Sequence, residues 1–275
     1  MRARSSGSRS PDVPTVPEGK CALITGSNAG LGFAIAQALA EAGCNIVLNG
    51  IVPEPEGSAA RDALARSSGA AVVYQQADIA DLAQIERLVA AAAARFGGVD
   101  ILVNNAVVRH FAPVEQLTPA EWEQSLAVNL SAPFHLARLV LPMMRARGFG
   151  RILNLSSYYG VRGAENRIGY VTTKTALIGM TRAIALEAGD MDITCNAICP
   201  GTLPTPDILG RIGQLAAAQA IGEDEAIRQY LAGRRPAGRF VAAQSVAGLI
   251  AFLCGPGGRD ITGAVLPVDG GWTAA

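Results

Sequence analysis

Cys21-Ala22-Leu23-Ile24-Thr25-Gly26-Ser27-Asn28-Ala29-Gly30-Leu31-Gly32 decides how the rest of this chain is read. A short apolar run passes through glycines 26, 30 and 32 into an Ala-rich stretch, 31–42, whose apolar residues recur at three- and four-residue spacings. Strand, glycine turn and helix in that order present backbone N–H groups at a helix N-terminus, where a pyrophosphate binds. Glycine is needed because a Cβ would obstruct the tight turn, the approach of the phosphates or the helix–sheet contact.

Outward from this turn the same rhythm continues. Strands are expected at 21–25, 45–49, 72–76, 101–104, 151–156, 193–198 and 265–268, separated by helical stretches such as 82–95. That alternation predicts an α/β chain: one doubly wound, seven-stranded parallel sheet with helices on both faces, in three layers. Thr118-Pro119-Ala120-Glu121 reads as a capped helix start, and another start falls near Gln244. The stretch 202–233 breaks the rhythm with one or two extra helices, carrying glycines at 210, 213, 222 and 233. It follows the carboxyl end of a strand, so it reads as a lid over a ligand; a merely decorative insertion is the alternative. The expected organisation is a disordered, Ser/Arg/Pro-rich tail at 1–18 and a single domain at 19–275.

Composition narrows the function. Among 275 residues, 23 basic and 23 acidic side chains cancel, so no global field draws the chain to nucleic acid or an anionic membrane. The strongest apolar run, 88–94, ends at Arg95, far short of the roughly 20 residues that span a bilayer. No apolar signal core occurs near the start, and the five cysteines form no CxxC pair, which points to a reducing, cytoplasmic setting. His110 and His135 lack partners at ligand spacing, so no metal is expected.

Leu155-Ser156-Ser157, followed thirteen positions on by Tyr170-Val171-Thr172-Thr173-Lys174, carries the chemistry. Tyr and Lys at i and i+4 share a helix face, so an ammonium stands beside a phenol. A phenol of pKa about 10 is a poor base at neutral pH, and a nearby cation favours its phenolate.

Taken together, the TGxxxGxG turn, Asn104-Asn105-Ala106, Ser157, Tyr170xxxLys174 and Pro200-Gly201 resemble, in order and over 19–275, the short-chain dehydrogenase/reductase family. The resemblance implies a Rossmann-type fold, an alcohol/ketone oxidoreductase and a nicotinamide dinucleotide. It implies Tyr170 as proton-handling residue, Ser157 as the group orienting the substrate oxygen, Lys174 beside the phenol, and Asn129 on a water-linked proton path to the lysine. Cofactor contacts are implied at Gly26, Asn28, Gly30, Leu31, Gly32, Asp78, Ile79, Asn105, Ala106, Tyr170, Lys174, Pro200, Gly201 and Thr205. Asp78 alternatively caps the helix beginning near Asp81. Two positions depart from the family pattern: Gly50 stands where an acid usually binds the adenosine ribose, and Val107 where a glycine follows Asn-Asn-Ala. NAD is nevertheless favoured over NADP, because no cation follows the second strand before Arg61 whereas Glu54 and Glu56 do. The resemblance also implies a homotetramer.

Asn45-Ile46-Val47-Leu48-Asn49-Gly50, Ala197-Ile198-Cys199-Pro200-Gly201 and Val268-Asp269-Gly270-Gly271-Trp272-Thr273 are similar to bacterial D-3-hydroxybutyrate dehydrogenases. Where those enzymes surround a short hydroxy acid with Gln, His, Lys and Trp, this chain has Arg109, Tyr159, Arg167 and Thr202, and it retains Trp272. With Ser157 and Tyr170 these residues form the expected substrate pocket, whose arginines fit a larger or more anionic hydroxy acid or sugar-derived acid. Arg109, Arg162 and Arg167 as plain solvated charges are the alternative. The competing functions are a 3-oxoacyl thioester reductase, a gluconate-type sugar dehydrogenase and, outside enzymes, a dinucleotide-binding regulator.

Overall fold

Seven parallel strands pair in the order β3-β2-β1-β4-β5-β6-β7 in a computed structural model that describes residues 16–232 and 238–274. They are β1 (Cys21–Ile24), β2 (Asn45–Gly50), β3 (Val72–Gln76), β4 (Ile101–Asn104), β5 (Gly150–Leu155), β6 (Ile193–Pro200) and β7 (Val265–Val268). Each expected strand is present, with ends shifted by at most two residues. Every residue of β1, β4, β5 and β6 is buried, as strands covered on both faces must be. This is the Rossmann-type three-layer arrangement. The strand order reverses between β1 and β4, opening a crevice at their carboxyl ends where ligands bind in such sheets.

On one face α1 (Gly30–Glu41) packs against α9 (Ala243–Cys254) through Ile35, Leu39, Val246 and Ile250. On the other, α3 (Leu82–Phe96) and α5 (Ala132–Arg147) bury Leu88, Leu136, Val140 and Met144 against Leu23 and Leu102. α2 (Glu54–Ser68) flanks β3. Thr118 and Glu121 form a reciprocal capping box at the start of α4 (Pro119–Leu126), as the sequence predicted. α4 runs through a π turn, Ala127–Ser131, into α5. The resulting helical run Pro119–Arg147 has the length and apolar composition to cross a bilayer, which the expectation based on residues 88–94 missed. Its Leu136, Val140 and Met144 are wholly buried in the sheet-side core, as in a core helix.

Two helices, α7 (Pro206–Gln219) and α8 (Glu223–Leu231), occupy the inserted stretch and pack on each other after α6 (Ile168–Glu187) and β6. Gly233, the expected end of that stretch, lies outside the described residues, as do residues 1–15 of the expected tail. The boundary at residue 19 needs correction: Val16 is only 2% exposed and belongs to the α1-side core, so packing begins before it.

Candidate active site

The glycine turn shows a separate reason for each of its glycines. Gly26 has φ +59° and its missing Cβ would meet the Ala106 backbone at 3.0 Å. A Cβ on Gly32 would lie 2.3 Å from the Gly26 carbonyl oxygen, so α1 can approach the turn only without one. Gly30, also at φ +59°, has nothing within 4 Å of its Cβ position and borders open space. Ala29 caps α1 without a side-chain hydrogen bond, and no acid lies in its first turn. The turn therefore offers uncapped N–H groups beside Leu31 and an open cradle, which fits a dinucleotide pyrophosphate. Ser27 ties the turn to β2, its hydroxyl donating to Ile24 O and accepting from the Asn49 N–H. Asn105, expected to contact the cofactor, spends both amide hydrogens on the Thr25 and Gly26 carbonyls at 2.9 Å and secures the turn. The Asn105 and Ala106 backbone N–H groups both donate to the Thr25 hydroxyl.

At the adenosine end, a Cβ on Gly50 would sit 2.5 Å from Asn28 Oδ1, so Asn28 fills the place where the family carries an acid. Arg61, the first cation after β2, is bound to Asp62 at 2.8 Å and lies 3.7 Å from Glu54. The Tyr74 hydroxyl donates to Val52 O, and burial, then Glu54 and Glu56, raise its pKa. Asp78 is exposed, folding back on the Ala80 N–H, and Ile79 is buried. The helix cap is Asp81, not Asp78.

Tyr170 and Lys174 lie on the buried face of α6, 8% and 3% exposed. Lys174 Nζ is 5.7 Å from the Tyr170 ring centre and donates to the Leu155 carbonyl at the end of β5. Burial, and secondarily the charge of Arg109, lower the Lys174 pKa to about 7. Ser156 fastens the same helix by donating to Lys174 O, while the Ser157 hydroxyl accepts from the Tyr159 N–H. Asn129 sits in the π turn with its amide donating to Val108 O and accepting from Val108 N–H, and it reaches Thr173 Oγ1 at 3.5 Å. One chain of bonds thus links the glycine turn, the loop after β4 and α6.

Around Tyr170 stands an aromatic wall. Tyr159 meets the Tyr170 ring edge-on at 6.4 Å, Trp272 lies 5.7 Å from Tyr159 and 4.0 Å from Tyr158, and Thr202 neighbours the Tyr158 phenol. Burial, with Tyr159 beside it, pushes the Tyr158 phenol well above its ordinary range. Arg109 lies over Tyr170 at 5.4 Å, and Arg167 over Tyr159 at 5.2 Å and Phe111 at 4.5 Å. Asn166, at φ +58°, makes the left-handed step that aims Arg167 as α6 begins. Arg162 is exposed and joins none of these rings. Pro200 ends β6, and Gly201 has no room for a Cβ, which would lie 2.8 Å from the Asp269 backbone. Thr205, expected as a cofactor contact, uses its hydroxyl to cap α7 through Ile208 N–H. His110 bonds Gln124, and His135 stacks edge-on with Phe134. Phe111 and Tyr158 were missed by sequence reasoning; Tyr158 adjoins Tyr159, whereas Phe111 belongs to no motif.

The family described as Enoyl-(Acyl carrier protein) reductase matches residues 26–273. D-beta-hydroxybutyrate dehydrogenases from Rhizobium meliloti and Cupriavidus necator are 39% and 38% identical, each over 93% of this chain and 99% and 98% of their own. Among solved structures, levodione reductase is 33% identical at a TM-score of 0.85, covering 94% of this chain and 99% of its own. L-sorbose reductase from Gluconobacter frateurii, complexed with NADPH and L-sorbose, is 29% identical at 0.91, covering 96% and 100%.

Proposed function

Because this chain belongs to the short-chain dehydrogenase/reductase family of NAD(P)-dependent enzymes acting on CH–OH groups, we propose that it interconverts a small anionic hydroxy acid, or sugar-derived acid, and its ketone, with NAD as the hydride carrier. When bound, the nicotinamide supplies or takes up the hydride. The protein handles the proton. Tyr170, as phenolate, accepts it from the substrate hydroxyl and returns it in the reverse direction. In its ammonium form Lys174 places positive charge beside that phenolate, and the Leu155 carbonyl fixes where it points. Ser157 donates to the same substrate oxygen and orients it. The aromatic wall of Tyr158, Tyr159 and Trp272 excludes water from the reacting carbon.

The observation that carries the anionic reading is Arg109 stacked over the catalytic ring, with Arg167 on the next ring. Among the described residues neither guanidinium is in an ion pair. A cation left without a carboxylate beside a reaction centre is a receptor for one on the substrate. The relatives named D-beta-hydroxybutyrate dehydrogenase support the hydroxy-acid class. The lack of any cation between β2 and Arg61, and the pairing of Arg61 with Asp62 and Glu54, support NAD over a dinucleotide bearing a 2′-phosphate.

A kinetic panel tests this reading. Hydroxy acids should exceed neutral secondary alcohols in kcat/KM, NAD should exceed NADP, and Arg167→Ala should raise KM for the acid by roughly tenfold or more. Equal turnover of neutral alcohols, together with an unchanged KM in Arg167→Ala, would remove the anion reading; a preference for NADP would remove the cofactor reading.

A further inference from the structure

Phe111 carries two guanidinium groups. Arg167, at the start of α6, lies 4.5 Å from its ring centre, and Arg211, from the inserted helix α7, lies 4.9 Å from the same centre. These cations come from segments separated by the whole of α6 and β6, and they meet at one phenyl ring. Arg211 has an acid at the helical position best suited to neutralise it: Asp207 precedes it by four residues on α7. The two form no ion pair; the arginine lies over Phe111 instead. No acid among the described residues is in salt-bridge contact with Arg109, Arg167 or Arg211.

The three guanidiniums fall in two places. Arg109 stands over Tyr170, where the carbinol reacts; Arg167 and Arg211 share Phe111, and Arg167 also lies over Tyr159. We infer that Arg211 is a specificity-determining residue: with Arg167 it grips a second, distal carboxylate, so that the preferred substrate is a dicarboxylic hydroxy acid whose nearer carboxylate faces Arg109. The inference rests on the anionic reading proposed above and extends it from one carboxylate to two. Two guanidiniums held at one ring, 4.5 and 4.9 Å from its centre, bring together N–H donors of the kind with which arginine recognises a carboxylate. Because Arg211 is borne by α7, the inserted helices acquire a role in substrate choice.

The test compares 3-hydroxyglutarate, 3-hydroxybutyrate and 2-butanol, with two, one and no carboxylates, in the full-length wild type, Arg211→Ala, Arg211→Lys and Arg167→Ala. NADH binding, followed by fluorescence, reports whether each variant keeps its fold and cofactor site. Wild type should prefer the dicarboxylate. Arg211→Ala should lower the ratio of kcat/KM for 3-hydroxyglutarate over 3-hydroxybutyrate by roughly tenfold or more, and Arg211→Lys should recover part of it. An unchanged ratio in Arg211→Ala overturns the inference, as does an equal loss on all three compounds. If wild type prefers acids and Arg167→Ala damages that preference while Arg211→Ala leaves the ratio alone, only the role of Arg211 falls. If 2-butanol is turned over as well as either acid, the anionic reading falls with it.

Discussion

The Lys174 ammonium donates to the Leu155 carbonyl across 2.6 Å while standing 5.7 Å from the centre of the Tyr170 ring. A strand end therefore fixes a charge that a helix delivers, and the phenol inherits its electrostatic surroundings from β5 as much as from α6. The same enclosure costs something: burial and Arg109 bring the lysine to about pH 7, whereas an exposed lysine titrates near 10.5.

That depression makes stability depend on pH with a definite sign. Between about 7 and 10.5 the unfolded chain holds the Lys174 proton more tightly than the folded one, so this group's contribution to stability rises with pH across the window. Below about 7 the penalty of burying the ammonium is present in full. Lys174→Met removes the dependence. Thermal unfolding of both proteins from pH 7 to 9 should show the wild type gaining on the variant as pH rises, and a constant difference would contradict the assigned shift.

Tyr170→Phe keeps the ring that Tyr159 and Arg109 pack against and removes only the oxygen. Turnover should fall by at least about 100-fold, the lower end for loss of a general acid/base, while the NADH dissociation constant stays within about twofold. Stopped-flow turnover and fluorescence titration separate the two quantities. Activity retained in the variant would leave the phenol without its role.

The glycine turn predicts a contrast between two equal-looking substitutions. Gly32→Ala places a methyl 2.3 Å from the Gly26 carbonyl and 2.6 Å from the Asn105 amide, so α1 must move away from the turn. It should lower thermal stability and abolish NADH binding together. Gly30→Ala meets no atom within 4 Å and suffers only its left-handed φ of +59°, a strain of roughly 1–2 kcal/mol. It should weaken NADH binding while the protein stays folded, by circular dichroism. The reverse order of damage would mean that the open side of the cradle does not face the phosphates.

What the sequence displayed was whatever lies close together along it. The central strands were legible because buried parallel strands are near-continuous apolar runs, the edge strands β3 and β7 because they are short β-rich runs in the same alternation, and the Tyr170–Lys174 pair because four residues make one helical turn. Asn105 was legible as a polar residue at a strand end, but its bond to the Gly26 carbonyl, 79 positions away, is one that only folded geometry selects. Phe111 and Arg211 are 100 positions apart and share no motif, so nothing in the chain foretold their contact. Val16 looked like tail because it lies among Pro14, Thr15, Pro17 and Glu18, yet a single apolar side chain was enough to seat it in the core.

Asn129 offers the last test, because its structural duty differs from the proton-path role that family resemblance implies. Its amide both donates to Val108 O at 3.0 Å and accepts from Val108 N–H at 2.9 Å, clamping the loop that carries Arg109 and Phe111. A buried amide satisfied on both sides leaves two stranded backbone groups when it is cut away, each costing about 1–3 kcal/mol. Asn129→Ala should therefore loosen Arg109 and Phe111 and raise KM for an acidic substrate along with any loss in kcat. Asn129→Asp keeps the acceptor but loses the donor, and it should fall between the alanine variant and wild type in KM. If kcat falls in both variants while KM for the acid is untouched, the residue acts on proton movement alone and the clamp on the loop carries no weight in substrate binding.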